Sequence, residues 1–276
     1  KASQKYETLK SILIEYHSNT ENLKDYMLSL YNYLPYCDSM KYIDSEHYHT
    51  YINTAALLGD ISNKMGWSSD AVRFYRMVKE GKDFLENYGE PKDLKYITLL
   101  YLLGKNYRQL DSLGQAVAYL IQCKELNYKL FSEKNPDNYK IDDLNIKNEL
   151  ALCYEEMDDP REYPIALSNI DNEVVMNNEE IEDFSSSNQW FNKALVLRKE
   201  IVAELSKIDT NDALRINLGT HHKLLGLLYL NMDYGYTAST HYDTALTILL
   251  PFYKSEKKEN VEKDIAICYL HKAFIE

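Results

Sequence analysis

A two-residue phrase, Leu-Gly, returns along this chain and brings a small residue with it. Leu58-Gly59 and Leu103-Gly104 stand 45 residues apart, and Leu225-Gly226 repeats the phrase later. Twelve residues after each glycine comes an alanine: Ala71, Ala116 and Ala238. A mid-helix glycine costs about 1 kcal/mol relative to alanine, so its return at a set spacing needs a packing reason. Close approach of two antiparallel helices supplies one, with Gly59 expected to face Ala71 and Gly104 to face Ala116. Self-similarity at such a period marks a stack of helix pairs, each burying its apolar face against its neighbours.

The repeat can be followed position by position. One copy gives Leu103, Gly104, Tyr107, Ala116, Leu120 and Cys123; another gives Leu225, Gly226, Tyr229, Ala238, Tyr242 and Ala245. A third gives Leu58, Gly59, Ser62, Ala71, Tyr75 and Val78. One period earlier lies a degenerate copy with Leu13, Ile14 and His17, then Tyr26, Leu30 and Tyr33. One period after Gly226 lie Leu270, His271 and Phe274.

These residues resemble the tetratricopeptide repeat (TPR) family, whose signature is W-x2-L-G-x2-Y, then A-x3-F, then A. The family Trp is replaced here by Ala55, Leu100 and His222. The family period is about 34 residues, so each unit here is longer by about three helical turns. Long-helix repeats of this kind occur in kinesin light chains, and the turns Glu90-Pro91-Lys92-Asp93 and Asn135-Pro136-Asp137 are similar to the Pro-Asp turns there.

The expected fold is therefore all-α: a right-handed α-solenoid of antiparallel helix pairs, a TPR-like superhelix of about eleven helices. The helices are expected at 3–17, 19–34, 44–65, 68–88, 92–110, 112–131, 139–157, 187–207, 210–231, 234–254 and 258–275. They group into units 3–40, 44–90, 91–137, 139–208 and 210–256, with a final single helix over 258–275, as one solenoid across 1–276. Ser69-Asp70, Asp111-Ser112 and Asp209-Thr210 are candidate N-caps, and Gly66 and Gly89 are candidate stops. One unit breaks the pattern: Leu150, Ala151 and Tyr154 mark its first helix, but Phe191 and Ala194 mark the second only after an insertion near 158–187. That segment is acidic and opens with Pro160 and Pro164. It reads as a solvated loop, with a short helix over Ile165–Val175, or as a lid or plug on the binding face.

A net charge of −12 opposes binding to nucleic acid, which needs a basic face, and to anionic membrane surfaces. No apolar run is long enough to span a bilayer. Cys37, Cys123, Cys153 and Cys268 form no CxxC pair and read as buried, reduced thiols of an intracellular, cytoplasmic protein. The start at Lys1, without Met, reads as the edge of an excised fragment.

The resemblance implies that the first helix of each unit lines a concave surface. Its solvent-facing positions are Asn53, Ala56, Asp60, Asn63 and Lys64 in one unit and Thr98, Tyr101, Lys105, Arg108 and Gln109 in the next. Asn145, Asn148, Leu152, Glu155 and Glu156 follow, then Thr220, Lys223, Leu227, Leu230 and Asn231. The recurring Asn offers a donor and an acceptor to an extended peptide backbone. Lys105, Arg108 and Lys223 would attract an acidic or phosphorylated segment. The competing reading is a polar face whose cations pair with neighbouring carboxylates. The contact set expected for a protein or peptide partner is Asn53, Tyr101, Lys105, Arg108, Asn145, Asn148 and Lys223. The family's clamp for chaperone tails is absent, since its Lys and Asn positions hold Ala56 or Tyr101 and Asp60 or Lys105.

No catalytic constellation is found. His47 and His49, or His221 and His222, point to different sides of a helix and make poor joint ligands; there is no HExxH, Gly-rich phosphate loop or Gly-x-Ser-x-Gly elbow. Trp67 and Trp190 each open a second helix and read as core, as do most of the 25 tyrosines. The expected function is a non-catalytic adaptor or scaffold without metal or cofactor. The alternatives are a regulatory TPR module of a larger enzyme or effector, and a peptide-sensing regulator. The run Ile265-Ala266-Ile267-Cys268-Tyr269-Leu270 wants cover on two sides, which motivates the regulatory module.

Overall fold

The computed structural model describes residues 20–131, 136–157, 189–207, 211–253 and 258–275. Every regular element among them is helical: α1 (Thr20–Met40), α2 (Ser45–Lys64), α3 (Ser68–Glu86), α4 (Leu94–Gln109), α5 (Leu113–Phe131), α6 (Pro136–Glu156), α7 (Gln189–Leu205), α8 (Asp212–Asn231), α9 (Gly235–Leu249) and α10 (Lys258–Ile275). A 3-10 turn, Leu250–Phe252, continues α9. The expected helix over 3–17 and the insertion over 158–187 lie outside the described residues. α1 runs on beyond the expected end at 34, carrying Pro35 within it.

The chain divides into two compact units, Lys1–Lys129 and Leu130–Glu276. In the first, α1 packs on α2, α2 on α3 and α3 on α4; in the second, α6 packs on α7, α7 on α8, α8 on α9 and α9 on α10. Consecutive helices in contact, paired through tight turns, are the TPR-like solenoid arrangement.

Three hairpins use one turn. The residue seven after the Leu-Gly glycine has a left-handed backbone: Gly66 (φ 73°), Asp111 (φ 56°) and Asp233 (φ 65°). The next amide then closes the first helix, Trp67 N donating to Ser62 O, Ser112 N to Tyr107 O and Tyr234 N to Tyr229 O. This wrap-around bond satisfies carbonyls that a helix end leaves free. Gly89 (φ 92°) ends α3 in the same conformation, as its sequence position suggested.

The glycines do pack closely, though the nearest side chain is not the expected one. A Cβ built on Gly59 would lie 2.6 Å from the Tyr75 ring, on Gly104 2.5 Å from Leu120 Cγ, and on Gly226 2.6 Å from the Tyr242 ring. The facing side chain is thus four residues beyond the alanine. Helical side chains lean toward their own N-terminus, so a residue one turn further along covers the spot. Ala116 does lie against Gly104 as expected, its carbonyl oxygen 3.2 Å from that Cβ.

Two further expectations need correction. α3 begins after Trp67, which makes no side-chain cap bond, and Asp70 lies within the first turn, where its charge complements the positive end of the helix dipole. The side-chain caps are Asp44 on α2, Asp93 on α4 and Asn211 on α8; Asp209 and Thr210 lie outside the described residues. Trp67 is 42% exposed and is not core, because it sits in the turn itself; Trp190 is buried and stacks on Tyr154. All four cysteines are buried, and none forms a disulfide.

Candidate partner-binding surface

A cleft of about 600 Å³ opens in the first unit, walled by α2 and α4 with α3 as its floor. Four of the positions expected on the concave face meet there: Asn53, Ala56 and Asp60 from α2, and Thr98 from α4. Asn53 and Thr98 are exposed. Asp60 is placed by the repeat itself, since the Tyr75 ring lies across Gly59 and its hydroxyl donates to Asp60 Oδ1 at 2.9 Å. Desolvation raises the Asp60 carboxyl above the ordinary range, against the opposing pull of that bond. At one end of the cleft, His49 Nε2 and Glu90 Oε1 meet at 2.9 Å. Near it, Lys82 Nζ lies 3.4 Å from Asp93 Oδ1.

The remaining expected contacts have different fates. Tyr101, Lys105 and Arg108 are half-buried on α4, and Lys105 makes no ion pair among the described residues. Asn145 is exposed on α6. Asn148 is half-buried, and its Oδ1 accepts from Arg198 Nη1 at 2.5 Å. Lys223 Nζ donates to Asp264 Oδ1 at 2.6 Å, and Thr220 donates to Oδ2 of the same carboxylate. The competing reading of a cation paired with a neighbouring repeat therefore describes Lys223.

Several pairs share a spacing. His49 and Glu90, Ser68 and Gln109, and Lys223 and Asp264 are each 41 residues apart. That is one helical turn short of the 45-residue period. Stacked repeats bring residue i beside i plus one period, and a one-turn offset lets long side chains bridge.

Sequence reasoning missed the polar centre of the second unit. Arg198 is fully buried, with Nε and Nη2 donating to the two Glu155 oxygens at 2.8 and 3.2 Å. Nη1 also lies 3.3 Å from His221 Nδ1. Because guanidinium only donates, that nitrogen is the acceptor and the imidazole is neutral. Burial, reinforced by the Arg198 charge, lowers His221 to about 3. Beside it, His222 Nδ1 and His241 Nδ1 approach to 3.1 Å, and burial, then His241, lowers His222 to about 4. A signal for Arg198 existed: it stands four residues after Ala194, where the other copies have Tyr75, Leu120 and Tyr242.

Lys147 gathers a second cluster, pairing with buried Asp143 and with the more exposed Glu200 and Glu204 at 2.9–3.0 Å. Burial opposes its charge, but the three carboxylates outweigh that and raise its pKa. The histidines of His47-x-His49 turn to different partners, Asp44 and Glu90. No group of three or more His, Cys, Asp or Glu suited to a metal ion occurs among the described residues. No helix among them is long and apolar enough to cross a membrane.

Stacked antiparallel pairs with a cleft between successive first helices define a helical-repeat protein. More narrowly, the chain has the TPR-like repeat fold. Its backbone is similar to the nearly identical TPR-like repeats of a putative kinesin light chain from Podosopora anserina, at 14% identity and a TM-score of 0.59, covering 91% of this chain and 98% of that one. A single-substitution form of those same repeats gives a TM-score of 0.60 at 14% identity over 94% and 99% of the two chains. BtubC (BKLC) from P. vanneervenii is similar at 13% identity and a TM-score of 0.57, over 92% and 82%. No known family's sequence profile matches the chain, and no curated protein sequence does.

Proposed function

We propose that the protein is a non-catalytic interaction scaffold that binds an extended segment of a partner protein in its concave cleft. The observation that carries this reading is the convergence of Asn53, Ala56, Asp60 and Thr98 on one cleft between successive first helices. Its walls offer amide, carboxyl and hydroxyl groups to a peptide backbone, and apolar side chains lie between them, Val78 and Leu85 on the floor and Leu99 on the α4 wall. In the first unit Asn53 is the contact within the cleft, and Tyr101, Lys105 and Arg108, outside its lining on α4, extend the contact surface. The two cations, one turn apart on α4, favour an acidic stretch of the partner. In the second unit Asn145 is the exposed contact, whereas Asn148 and Lys223 are engaged by Arg198 and Asp264.

Selection of peptides from a displayed random library, using the full chain and an Asn53→Arg, Thr98→Arg variant, tests the reading. Both positions are exposed, so the variant keeps its fold, which circular dichroism checks. Peptides enriched by the parent chain are expected to lose binding to the variant. Equal retention by both would remove the cleft from consideration.

A further inference from the structure

A second hollow, of about 450 Å³, adjoins the cleft and shares Leu85 and Glu90 with it. It lies where the α1–α2 turn meets the end of α3, and four aromatic rings line it: Tyr42, Tyr48, Phe84 and Tyr88. Phe84 is the hub, with ring centroids 4.9 Å from Tyr48, 4.9 Å from Tyr88 and 6.3 Å from Tyr42. Tyr48 is buried, but Tyr42 is 73% exposed and Tyr88 74% exposed. Two tyrosines on short turns thus hold ring faces in water at the edge of a packed cluster.

The charge around these rings has one sign to spare. Lys41 belongs to Asp38, with Nζ 2.7 Å from Oδ1. The rim also carries Asp44 and Glu90, whose partners are the imidazoles of His47 and His49. The backbone amide of His47, donating to Asp44 as the helix cap, holds that carboxyl below its ordinary range. Lys41 shows that one of these rings accepts a cation: its ammonium lies 5.1 Å from the Tyr42 centroid, and 4.7 Å from that of Tyr51 outside the hollow's lining. Ring faces attract cations through their quadrupole, and nearby carboxylates add to the attraction.

We propose that this hollow takes a cationic side chain, Arg or Lys, from the same partner segment that lies in the cleft. The inference rests on the cleft reading for its partner. An uncharged ring-lined hollow would suit a proline or an aliphatic side chain equally well; Asp44 and Glu90 on the rim favour the cation. The basic anchor would sit at the Glu90 end of the cleft, at the start of α2.

The test follows the ring signals of 13C-tyrosine-labelled full-length chain by NMR as acetyl-triarginine amide is added, with the uncharged citrulline analogue as control. Saturable shifts are expected at Tyr42 and Tyr88 with arginine and not with citrulline. In an Asp44→Asn, Glu90→Gln variant the affinity is expected to fall about two- to fivefold, the size of an exposed ion-pair attraction. Asn caps a helix as well as Asp, so that variant keeps α2 intact. Equal shifts with citrulline, or unmoved Tyr42 and Tyr88 signals, would overturn the cation site. The cleft is judged separately: library peptides that depend on Asn53 and Thr98 but show no basic position leave the cleft standing and remove this site. Arginine shifts at Tyr42 and Tyr88 without cleft-dependent peptides do the reverse.

Discussion

Tyr75 in the first unit and Arg198 in the second hold the same place in their repeats, four residues after the small residue of the second helix. Tyr75 lays its ring on Gly59 and ends in a single bond to Asp60. Arg198 is buried whole and draws in Glu155 and Asn148, both from positions expected to face a partner. In the first unit, then, the hairpin packs on an apolar surface and leaves the α2 and α4 faces available around a cleft. In the second, the first-helix residues of the interrupted repeat satisfy an internal charge. The residue at this position decides whether the first-helix face stays open around a cleft or turns inward to satisfy a buried charge.

The sharpest way to break the comparison is Arg198→Ala. Removing one partner of a buried ion pair strands the other, at a cost of about 3–5 kcal/mol. Trp67→Phe leaves Trp190, stacked on Tyr154, as the fluorescent reporter of the second unit during urea unfolding. Arg198→Leu with Glu155→Leu should recover much of the loss, because apolar replacement of a whole buried pair is often neutral. Leu120 already fills the equivalent place in the first unit. A loss under about 1 kcal/mol for Arg198→Ala would make the pair equivalent to a surface salt bridge and end the contrast.

Acid should distinguish the second unit next. The pKa of His221 falls to about 3 and that of His222 to about 4 on folding, from an ordinary value of 6.5. Between those values the unfolded chain binds more protons than the folded one, so stability falls as pH falls through 6.5. Buried His221 contributes up to about 1.4 kcal/mol of loss per pH unit below that point, and half-buried His222 contributes less because solvent screens it. Urea midpoints read from Trp190 at pH 7 and pH 5 should show a loss of about 2 kcal/mol or more. An unchanged midpoint would mean that the imidazoles are hydrated in the folded state.

Gly104→Ala tests the first unit's side of the contrast. Its Cβ would meet Leu120 Cγ at 2.5 Å and the Ala116 carbonyl at 3.2 Å, and backbone cannot swing aside. Overpacking of this kind costs about 1–3 kcal/mol. Adding Leu120→Ala opens the space, so the double variant should lose less than the sum of the two singles. Strict additivity in urea unfolding would show that the two residues do not share the contact.

How much of this was legible follows from what a period can carry. A step of 45 residues returns the same small residues to the same helix faces, so the helix pairs, Gly66 and Gly89 could be read directly, whereas the placing of Asn53, Ala56, Asp60 and Thr98 on one face came from the family resemblance. The partner of each glycine was misplaced by one turn, because spacing gives Cα positions while side chains lean toward the helix N-terminus. Lys223 looked available because Asp264 lies one repeat on, and only stacking brings the two together. Arg198 was hidden by the insertion, which moved its helix out of register with the period, and by its charge, which broke the aromatic and aliphatic pattern of its equivalents. The ring-lined hollow draws on two successive inter-repeat turns; Tyr42 and Tyr88 lie 46 residues apart, close to the period, but neither occupies a signature position of the repeat.

The smallest expected effect concerns the turn that both units share. Gly66, Asp111 and Asp233 adopt one left-handed conformation, yet only Gly66 does so without a Cβ. For a residue with a side chain the strain is about 1–2 kcal/mol, less for aspartate. Glycine relieves it but gives back up to about 1 kcal/mol through the greater freedom of its unfolded chain. Asp111→Gly should therefore gain about 0.5 kcal/mol, and Asp111→Ala should lose stability because alanine carries the strain without aspartate's tolerance for this region. The amides of Asp111 and Ser112 donate to Arg108 and Tyr107 carbonyls whatever side chain is present, so the turn's bonds are common to all three variants. The order of melting temperatures, glycine above aspartate above alanine, should hold at 111 and again at 233. Aspartate as the most stable at either position would mean that its carboxylate makes a stabilising contact worth more than the strain. The turn would then be held by its side chain in that unit and by backbone alone in the other.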